Sequence, residues 1–246
     1  MNIKLSKRMK LIADMVTPGK CVADIGCDHG YVSIYLVEQK RSEHVIAMDV
    51  AKGPLEIAKK NIMSSGLSGK IDVRLSDGFD ALEAGESDAV IIAGMGGNLI
   101  IDILKRGLHK MRAGYELVLS PQSDVSLVRS FLRENGFVIK DEEMLVEDGK
   151  YYNIIKAELS ETGLNTETEN KKNDIAENKQ LILNDTYGEK LIEKKHPVLK
   201  DYLEKQMEKY QGIFCRLSKS SGEGAVKRLS EISSELSDME EVMKQL

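Results

Sequence analysis

Cysteine is scarce in this chain, and its scarcity narrows the kinds of site that the chain can hold. The 246 residues contain 3 cysteines, Cys21, Cys27 and Cys215, which are widely spaced and form no C-x-x-C pair. Zinc sites built from cysteine normally need such close pairs, so we expect no metal site. An odd number of cysteines without a secretion signal is typical of reduced thiols in the cytosol.

Long apolar runs and an excess of positive charge are also missing. The longest apolar stretch, Ala89–Ala93, is the length of a strand and far short of the roughly 20 residues that span a membrane. No apolar signal segment follows the basic first residues, so we expect a cytoplasmic protein. The net charge of -5 argues against general binding to nucleic acid, although it allows a local basic patch.

Strand-like and helix-like segments alternate over residues 1–160. The strand-like segments are Cys21–Ile25, His44–Met48, Ile71–Leu75, Ala89–Ala93 and Glu116–Leu119. The helix-like segments are Lys7–Met15, Tyr31–Gln39, Pro54 to near Gly66, Leu99–Lys110, and one from a capping Asp124 to Asn135. This alternation predicts an α/β fold, a Rossmann-like parallel sheet covered by helices on both faces. Phe137–Leu145 and Tyr151–Leu159, joined through Asp148-Gly149, predict a terminal antiparallel hairpin.

The pattern changes after residue 160. Residues 160–178 are polar and predict a linker or mobile loop. From Pro197 onward two series of apolar residues, Leu199 to Leu217 and Ala225 to Leu246, repeat every three or four positions around a glycine-containing turn. They predict an antiparallel coiled-coil hairpin, and hence two domains, residues 1–160 and residues 161–246. We expect a monomer, with a homodimer through the coiled coil as the alternative.

A glycine loop follows the first predicted strand. It has the form D-x-G-x-x-x-G, with Asp24, Gly26 and Gly30, and differs from the G-x-G-x-x-G loop of NAD enzymes. Glycine lets the backbone pass close to a ligand, and a carboxylate here favours the ammonium group of an amino acid. S-adenosylmethionine offers such an ammonium group and has no pyrophosphate, so it suits this loop better than a dinucleotide does.

Three further motifs follow later strands in order. Asp49 ends the second strand, where a carboxylate can accept both hydroxyls of a ribose. Ser76-Asp77-Gly78-Phe79 follows the third strand and can meet an adenine, although Asp-Gly is also ordinary in turns. Ala93-Gly-Met-Gly-Gly97 ends the fourth strand and leaves room for a flat substrate. Because ligands bind beyond the carboxyl ends of such strands, the motifs together predict a site for S-adenosylmethionine.

Several of these motifs resemble those of a known family. Asp24-Ile-Gly-Cys-Asp-His-Gly-Tyr31, Ala93-Gly-Met-Gly-Gly97 and Leu5-Ser-Lys-Arg8 resemble the TrmK family of bacterial tRNA (adenine-N1)-methyltransferases, which act on adenosine 22. The similarity continues through Ser120-Pro-Gln122, Glu147-Asp-Gly-Lys-Tyr-Tyr152 and Tyr187-Gly-Glu-Lys-Leu191, so it covers nearly the whole chain. It implies a class I methyltransferase domain followed by a helical coiled-coil domain.

The resemblance and the motifs together define the expected site. We expect cofactor contacts from Asp24, Gly26, Cys27, Gly30, Asp49, Val50, Asp77, Gly78, Phe79 and Ala93. Catalytic contacts are expected from Asp28, His29, Gly94, Met95 and Gly96, with Tyr31 and Phe79 as further neighbours of the base. His29 can orient the substrate or relay a proton, or it can be structural. RNA contacts are expected from Lys4, Lys7, Arg8, Lys194 and Lys195, although Arg8 can also reach the cofactor carboxylate.

The expected reaction needs no metal and no covalent intermediate. N1 of neutral adenine carries a lone pair that can take the methyl group directly, so the protein supplies position and desolvation. Because N1 lies on the pairing edge, the base must be unpaired or flipped. Two other interpretations stay open: a methyltransferase for another RNA or a small molecule, and a cofactor-binding regulator that uses the tail to dimerise. An NAD oxidoreductase is disfavoured by the glycine spacing.

Overall fold

The computed structural model describes residues 5–161, 175–218 and 222–246. The chain separates into two units, Met1–Asn170 and Lys171–Leu246. Lys4, which we expected to contact RNA, lies outside the described residues, as does most of the expected linker 160–178. The end of that linker, 175–178, is described and is helical, so this part of the linker prediction is wrong.

Seven strands form one sheet in the first unit: β1 Val22–Ile25, β2 Val45–Asp49, β3 Ile71–Leu75, β4 Ala89–Ala93, β5 Glu116–Ser120, β6 Phe137–Glu147 and β7 Lys150–Leu159. Their order is β3-β2-β1-β4-β5-β7-β6, and the first five run parallel. The chain moves outward from β1 to β3 and then returns to place β4 on the other side of β1. This reversal opens a crevice at the carboxyl ends of β1 and β4, where ligands of such sheets bind.

Five helices cover the two faces of this sheet: α1 Lys7–Met15, α2 Tyr31–Glu38, α3 Lys52–Ser64, α4 Gly97–Gly107 and α5 Val125–Glu134. The first three pack on one face through residues such as Ile12, Ile34 and Ile62. The other two pack on the opposite face through residues such as Ile100 and Leu132. Because helices lie on both sides, the central strands are buried along almost their whole length. The predicted Rossmann-like sheet is therefore confirmed.

Two details at helix ends differ from the sequence predictions. Helix α4 begins at Gly97, before the expected Leu99, and a 3-10 turn over Leu108–Lys110 follows it. Asp124 occupies the position before α5 in a left-handed conformation, and its side chain makes no capping hydrogen bond. Its carboxylate instead accepts bonds from Asn98 Nδ2 at 3.1 Å and Ser123 Oγ at 2.7 Å. The cap that we predicted for Asp124 is wrong because a capping residue needs an extended backbone, whereas that of Asp124 is left-handed.

The predicted antiparallel hairpin is present as β6 and β7. Asp148 and Gly149 both have positive φ, 49° and 74°, which is the conformation that a two-residue hairpin turn requires. A register shift between Ile139 and Asp141 interrupts the pairing of the two strands. The strand β7 also pairs with β5, so the hairpin completes the sheet.

The second unit is helical, with α6 Ile175–Tyr187, α7 Glu189–Glu193, α8 Pro197–Leu217 and α9 Glu223–Met243. Helices α8 and α9 lie where the two apolar series predicted them, whereas α6 and α7 were not predicted. Leu199 and Leu203 of α8 are buried, as are Ile232, Met239 and Val242 of α9. A helical second part is thus confirmed, and its coiled-coil character stays a prediction. Among the described residues, no helix is long and apolar enough to cross a membrane.

Candidate active site

The glycine loop after β1 is held against β2 by its backbone. The N–H groups of Gly26 and Cys27 both donate to the carbonyl of Met48, at 2.8 and 2.9 Å. Gly26 has φ +76°, and a Cβ there would lie 2.3 Å from Met95 Cε. Glycine is favoured at position 26 because the backbone conformation is left-handed, and the end of the flexible Met95 side chain fills the space beside it.

Asp24, at the carboxyl end of β1, is the buried carboxylate of this region. It is only 4% exposed, and Ser33 Oγ donates to its Oδ2 at 2.6 Å. Burial raises the pKa of Asp24 to about 6, although the bond from Ser33 acts in the opposite direction. A carboxylate with so little hydration is stabilised by a cationic ligand, such as an ammonium group, that comes into contact with it.

A cavity of about 290 Å³ opens beside Asp24. Seven of the predicted site residues line it: Asp24, Gly26, Cys27, Asp28, His29, Tyr31 and Ala93. Leu5, Ser6 and Met9, at the start of α1, close another side. From the sequence we expected RNA contacts from the basic residues of this segment, or a contact from Arg8 to the cofactor carboxylate, and we missed that its apolar residues line the cavity. The available signal was that Leu5 and Met9 are apolar residues in an otherwise basic segment.

Asp49 lies next to the same loop, held by two backbone donors. Its Oδ2 accepts a bond from Asp28 N at 3.1 Å, and its Oδ1 accepts one from Ala51 N at 2.8 Å. Each carboxylate oxygen can accept two bonds and accepts one from the residues that the structure describes, so each retains one acceptor position. The carboxylate is therefore fixed in direction and still able to accept two hydroxyl groups of a ligand.

Asp28 and His29 project from the tip of the glycine loop. Asp28 has φ +50°, a left-handed conformation that is uncommon outside glycine, and its side chain is largely exposed. His29 Nε2 lies 3.6 Å from Asp28 Oδ1, and its ring meets Tyr31 edge-on with centroids 5.8 Å apart. The loop thus presents one carboxylate and two rings beside the cavity. Cys27, the neighbouring residue, is buried, and burial raises the pKa of its thiol well above the ordinary value.

The motif Ser76–Phe79 follows β3, the strand at the edge of the sheet, and does not line the cavity. Arg106 Nη2 donates to Asp77 Oδ1 at 2.9 Å, and this bond lowers the pKa of Asp77. The Phe79 ring is 1% exposed and packs against Gly107, where a Cβ would lie 2.3 Å from the ring. We expected Phe79 as a neighbour of the base, and the structure corrects this, because the ring belongs to the core. Val50, after β2, is 67% exposed.

The loop Ala93–Gly97 at the end of β4 is bonded to the loop after β5. Gly94 N donates to Ser120 O at 3.1 Å, Gln122 N donates to Met95 O at 2.9 Å, and Gly97 N donates to Ser123 O at 3.0 Å. A Cβ at Gly97 would lie 2.5 Å from Ser123 O, so the two backbones approach too closely for any side chain there. Gln122, which this arrangement brings to the loop, was not among the residues expected in the site.

The residues expected to contact RNA are divided between the two units. Lys7 is exposed, and Arg8 places its guanidinium over the ring of Tyr152, 4.8 Å from the centroid. Arg8 Nε and Nη1 are buried and have no hydrogen-bond partner among the described residues. Lys194 and Lys195 are exposed at the end of α7 in the second unit. Among the residues described, no group of three or more His, Cys, Asp or Glu side chains is arranged to hold a metal.

Comparison with known proteins gives consistent results. Residues 5–155 match the family model described as a methyltransferase domain. Over 159 residues, 65% of this chain and 67% of the relative, the chain is 38% identical to the tRNA (adenine(22)-N(1))-methyltransferase of Bacillus subtilis. The crystal structure of TrmK, the tRNA methyltransferase of B. subtilis for m1A22, has a TM-score of 0.81 and 30% identity, covering 98% of this chain and 100% of that one. A Streptococcus pneumoniae structure in complex with S-adenosyl-L-methionine has a TM-score of 0.79 and 31% identity. The match covers 98% of this chain and 100% of that one.

Proposed function

The chain belongs to the TrmK family of tRNA (adenine(22)-N(1))-methyltransferases, and we propose how its own residues divide the work of that reaction. It is an S-adenosylmethionine-dependent enzyme that methylates N1 of an adenosine in tRNA. The observation that carries our assignment of residues is the cavity beside Asp24, where a buried carboxylate, a bare glycine backbone and the start of α1 enclose one space. The adenosine at position 22 is the substrate that family membership indicates.

These residues fit the chemical groups of S-adenosylmethionine, which supplies an electrophilic methyl group on a sulfonium when it is bound. The carboxylate of Asp24 holds the ammonium group, because a buried anion needs a cation. Asp49 accepts the two ribose hydroxyls with the acceptor positions that Asp28 and Ala51 leave free. We assign Asp77 and Gly78, which follow the next strand β3, to the adenine end, with Arg106 fixing the Asp77 carboxylate.

The protein positions the base and does not need to deprotonate it, because N1 of neutral adenine already carries a lone pair. Gly94, Met95 and Gly96 border the base, and their bonds to the loop after β5 keep that border rigid. Asp28, exposed at the loop tip, faces the positive charge that the base acquires, and His29 is held beside it. The buried, protonated thiol of Cys27 takes no part as a nucleophile.

The RNA is held through its phosphates by basic side chains of both units. Lys7 and Arg8 lie beside the site on α1, and Lys194 and Lys195 lie on the second unit. Such contacts fix the position of the RNA, while its shape supplies much of the selectivity. We infer two domains with these separate roles, residues 1–160 and 161–246, in a monomer that works where tRNA is found, in the cytoplasm. Lys4 belongs to the same proposed set of RNA-binding residues by its charge.

Methyl transfer to tRNA tests the assignment of the reaction. Incubation of the protein with labelled S-adenosylmethionine and an unmodified tRNA transcript is expected to place label in 1-methyladenosine at position 22, identified by nucleoside mapping. A transcript with guanosine at that position serves as the control and should stay unlabelled, because N1 of guanine carries a hydrogen and has no free lone pair. Label in any nucleoside other than 1-methyladenosine would contradict the assignment.

Removal of the second unit tests the division of roles. A chain shortened to residues 1–161 retains the whole sheet and the cavity, so its affinity for S-adenosylmethionine should stay within about threefold of that of the full chain. Its affinity for tRNA should fall by at least about tenfold at moderate salt, because phosphate contacts are lost. Calorimetry measures the first affinity and fluorescence anisotropy the second. Unchanged tRNA affinity together with lost cofactor affinity would refute the division.

A further inference from the structure

The side chain of Gln122 lies beside Gly94, in the loop that we assign to the substrate. Its side chain is exposed, and its Nε2 lies 3.9 Å from the position that a Cβ of Gly94 would occupy. Among the described residues its carboxamide has no hydrogen-bond partner, whereas its backbone N–H is bonded to Met95 O. Gln122 therefore presents its carboxamide beside the bare backbone of the loop that we assign to the base. The Nε2 atom faces Gly94, and a half-turn of the amide group brings the carboxamide oxygen to the same place.

Backbone hydrogen bonds fix the position of Gln122 relative to the Gly94–Gly96 loop. Ala93 and Ser120 are register partners on β4 and β5, and three backbone hydrogen bonds join the loops that follow them. Ala93 also lines the cavity that we assign to the cofactor. A base placed with its reacting nitrogen toward that cavity would lie along Gly94, within reach of the carboxamide of Gln122.

N1 methylation changes the charge of the base that would lie beside the Gln122 carboxamide. The lone pair of N1 forms the new nitrogen–carbon bond, and the sulfur keeps the electron pair of the broken bond. The positive charge passes to the base, and no proton leaves in this step. The charge is shared between N1 and the neighbouring 6-amino group, whose N–H becomes a stronger donor. Bonds to a charged group are about twice as strong as neutral ones.

We propose that Gln122 recognises the 6-amino group of the target adenine, with its carboxamide oxygen accepting an N–H bond that strengthens as the base becomes charged. The inference rests on the proposed assignment of the base to the Gly94–Gly96 loop. It makes Gln122 a specificity-determining residue that contacts the substrate. Guanine and hypoxanthine carry an oxygen at this position, which cannot donate a bond to the carboxamide oxygen.

The test compares two tRNA transcripts, one with adenosine and one with purine riboside, which lacks the 6-amino group, at the target position. For Gln122→Leu, kcat/KM is expected to fall by about ten- to a hundredfold on the adenosine transcript and by less than about threefold on the purine transcript. Gln122→Glu retains an acceptor and should keep the activity on adenosine within about tenfold of the parent. Gln39→Leu, the same change at an exposed position at the end of α2, is the matched control and should alter neither rate.

Binding without the cofactor gives a second measurement. By anisotropy, the parent protein should bind the adenosine transcript about tenfold more tightly than the purine transcript, and Gln122→Leu should bind both equally. Equal losses on both transcripts, a Glu variant as weak as the Leu variant, or a loss of S-adenosylmethionine affinity would overturn the proposal. If the parent protein places no methyl group on N1, the assigned reaction itself fails. An active parent with an unaffected Gln122→Leu variant overturns only the role of Gln122.

Discussion

Replacing Asp49 by alanine is expected to weaken S-adenosylmethionine binding by at least about a hundredfold. The carboxylate is fixed by Asp28 N and Ala51 N, so its free acceptor positions are directed before any ligand arrives. Two hydrogen bonds from ribose hydroxyls to a charged acceptor contribute about 1.5–3 kcal/mol each, which gives the size of the expected loss. Isothermal titration calorimetry measures the change directly.

The same substitution also removes two backbone contacts, so stability must be measured beside affinity. We expect a modest drop in the free energy of unfolding, of about 1–2 kcal/mol, because Asp28 N and Ala51 N can turn to water at this partly exposed position. Asp102→Ala removes an exposed carboxylate from α4 and is the matched control, with no change in affinity expected. If Asp49→Ala binds the cofactor as tightly as the parent, Asp49 does not hold the ribose.

The positions of the strands, and the motif at the end of each, were predictable because the sequence repeats one pattern of strand, motif and helix. Each motif stands at the carboxyl end of a predicted strand, and parallel strands bring these ends to one edge. The sequence alone was therefore enough to bring Asp24, Asp28 and Ala93 to one cavity. The Asp148-Gly149 turn was equally clear, since both residues adopt the positive φ that this pair of residues favours.

The sequence did not predict the surroundings of residues whose position depends on tertiary packing. The sequence around Phe79 looks like an exposed turn, yet the missing side chain of Gly107, 28 positions further on, opens the space that receives its ring. Arg129 and Glu142 form a buried ion pair at 2.7 Å that joins α5 to β6, and no local pattern reveals it. The contribution of Leu5 and Met9 to the cavity depends likewise on where α1 packs. Long-range contacts of this kind are not encoded in periodicity.

Replacing Asp24 by asparagine is expected to change stability and cofactor affinity in opposite directions. Burial raises the pKa of Asp24 to about 6 in the folded chain, above an ordinary value of 3.8, so the folded state prefers the protonated carboxyl. The stability that this preference contributes is fully present below pH 3.8 and is lost as the pH rises through about 6. A shift of this size corresponds to about 3 kcal/mol, so the asparagine variant should be more stable than the parent at pH 7 by up to that amount.

Binding should move the other way, because the ammonium group of S-adenosylmethionine needs the ionised carboxylate. Asp24→Asn is expected to weaken the affinity by at least about a hundredfold at pH 7.5, since it leaves the cation without its partner. In the parent protein the affinity should fall by up to about tenfold for each pH unit below about 6, and in the variant it should be nearly independent of pH between 5 and 7.5.

A second buried carboxylate serves as a control that distinguishes cofactor binding by Asp24 from the effect of burial alone. Glu116 is as buried as Asp24, but it lies at the other end of the sheet and is paired with Lys156 at 3.3 Å. Glu116→Gln should therefore lower the melting temperature and leave the affinity for S-adenosylmethionine unchanged, the reverse of the result expected for Asp24→Asn. Thermal melting and calorimetry across pH 5 to 7.5 distinguish the two. A destabilised Asp24→Asn variant that keeps the affinity of the parent protein would show that Asp24 is a structural residue and that the ammonium group binds elsewhere.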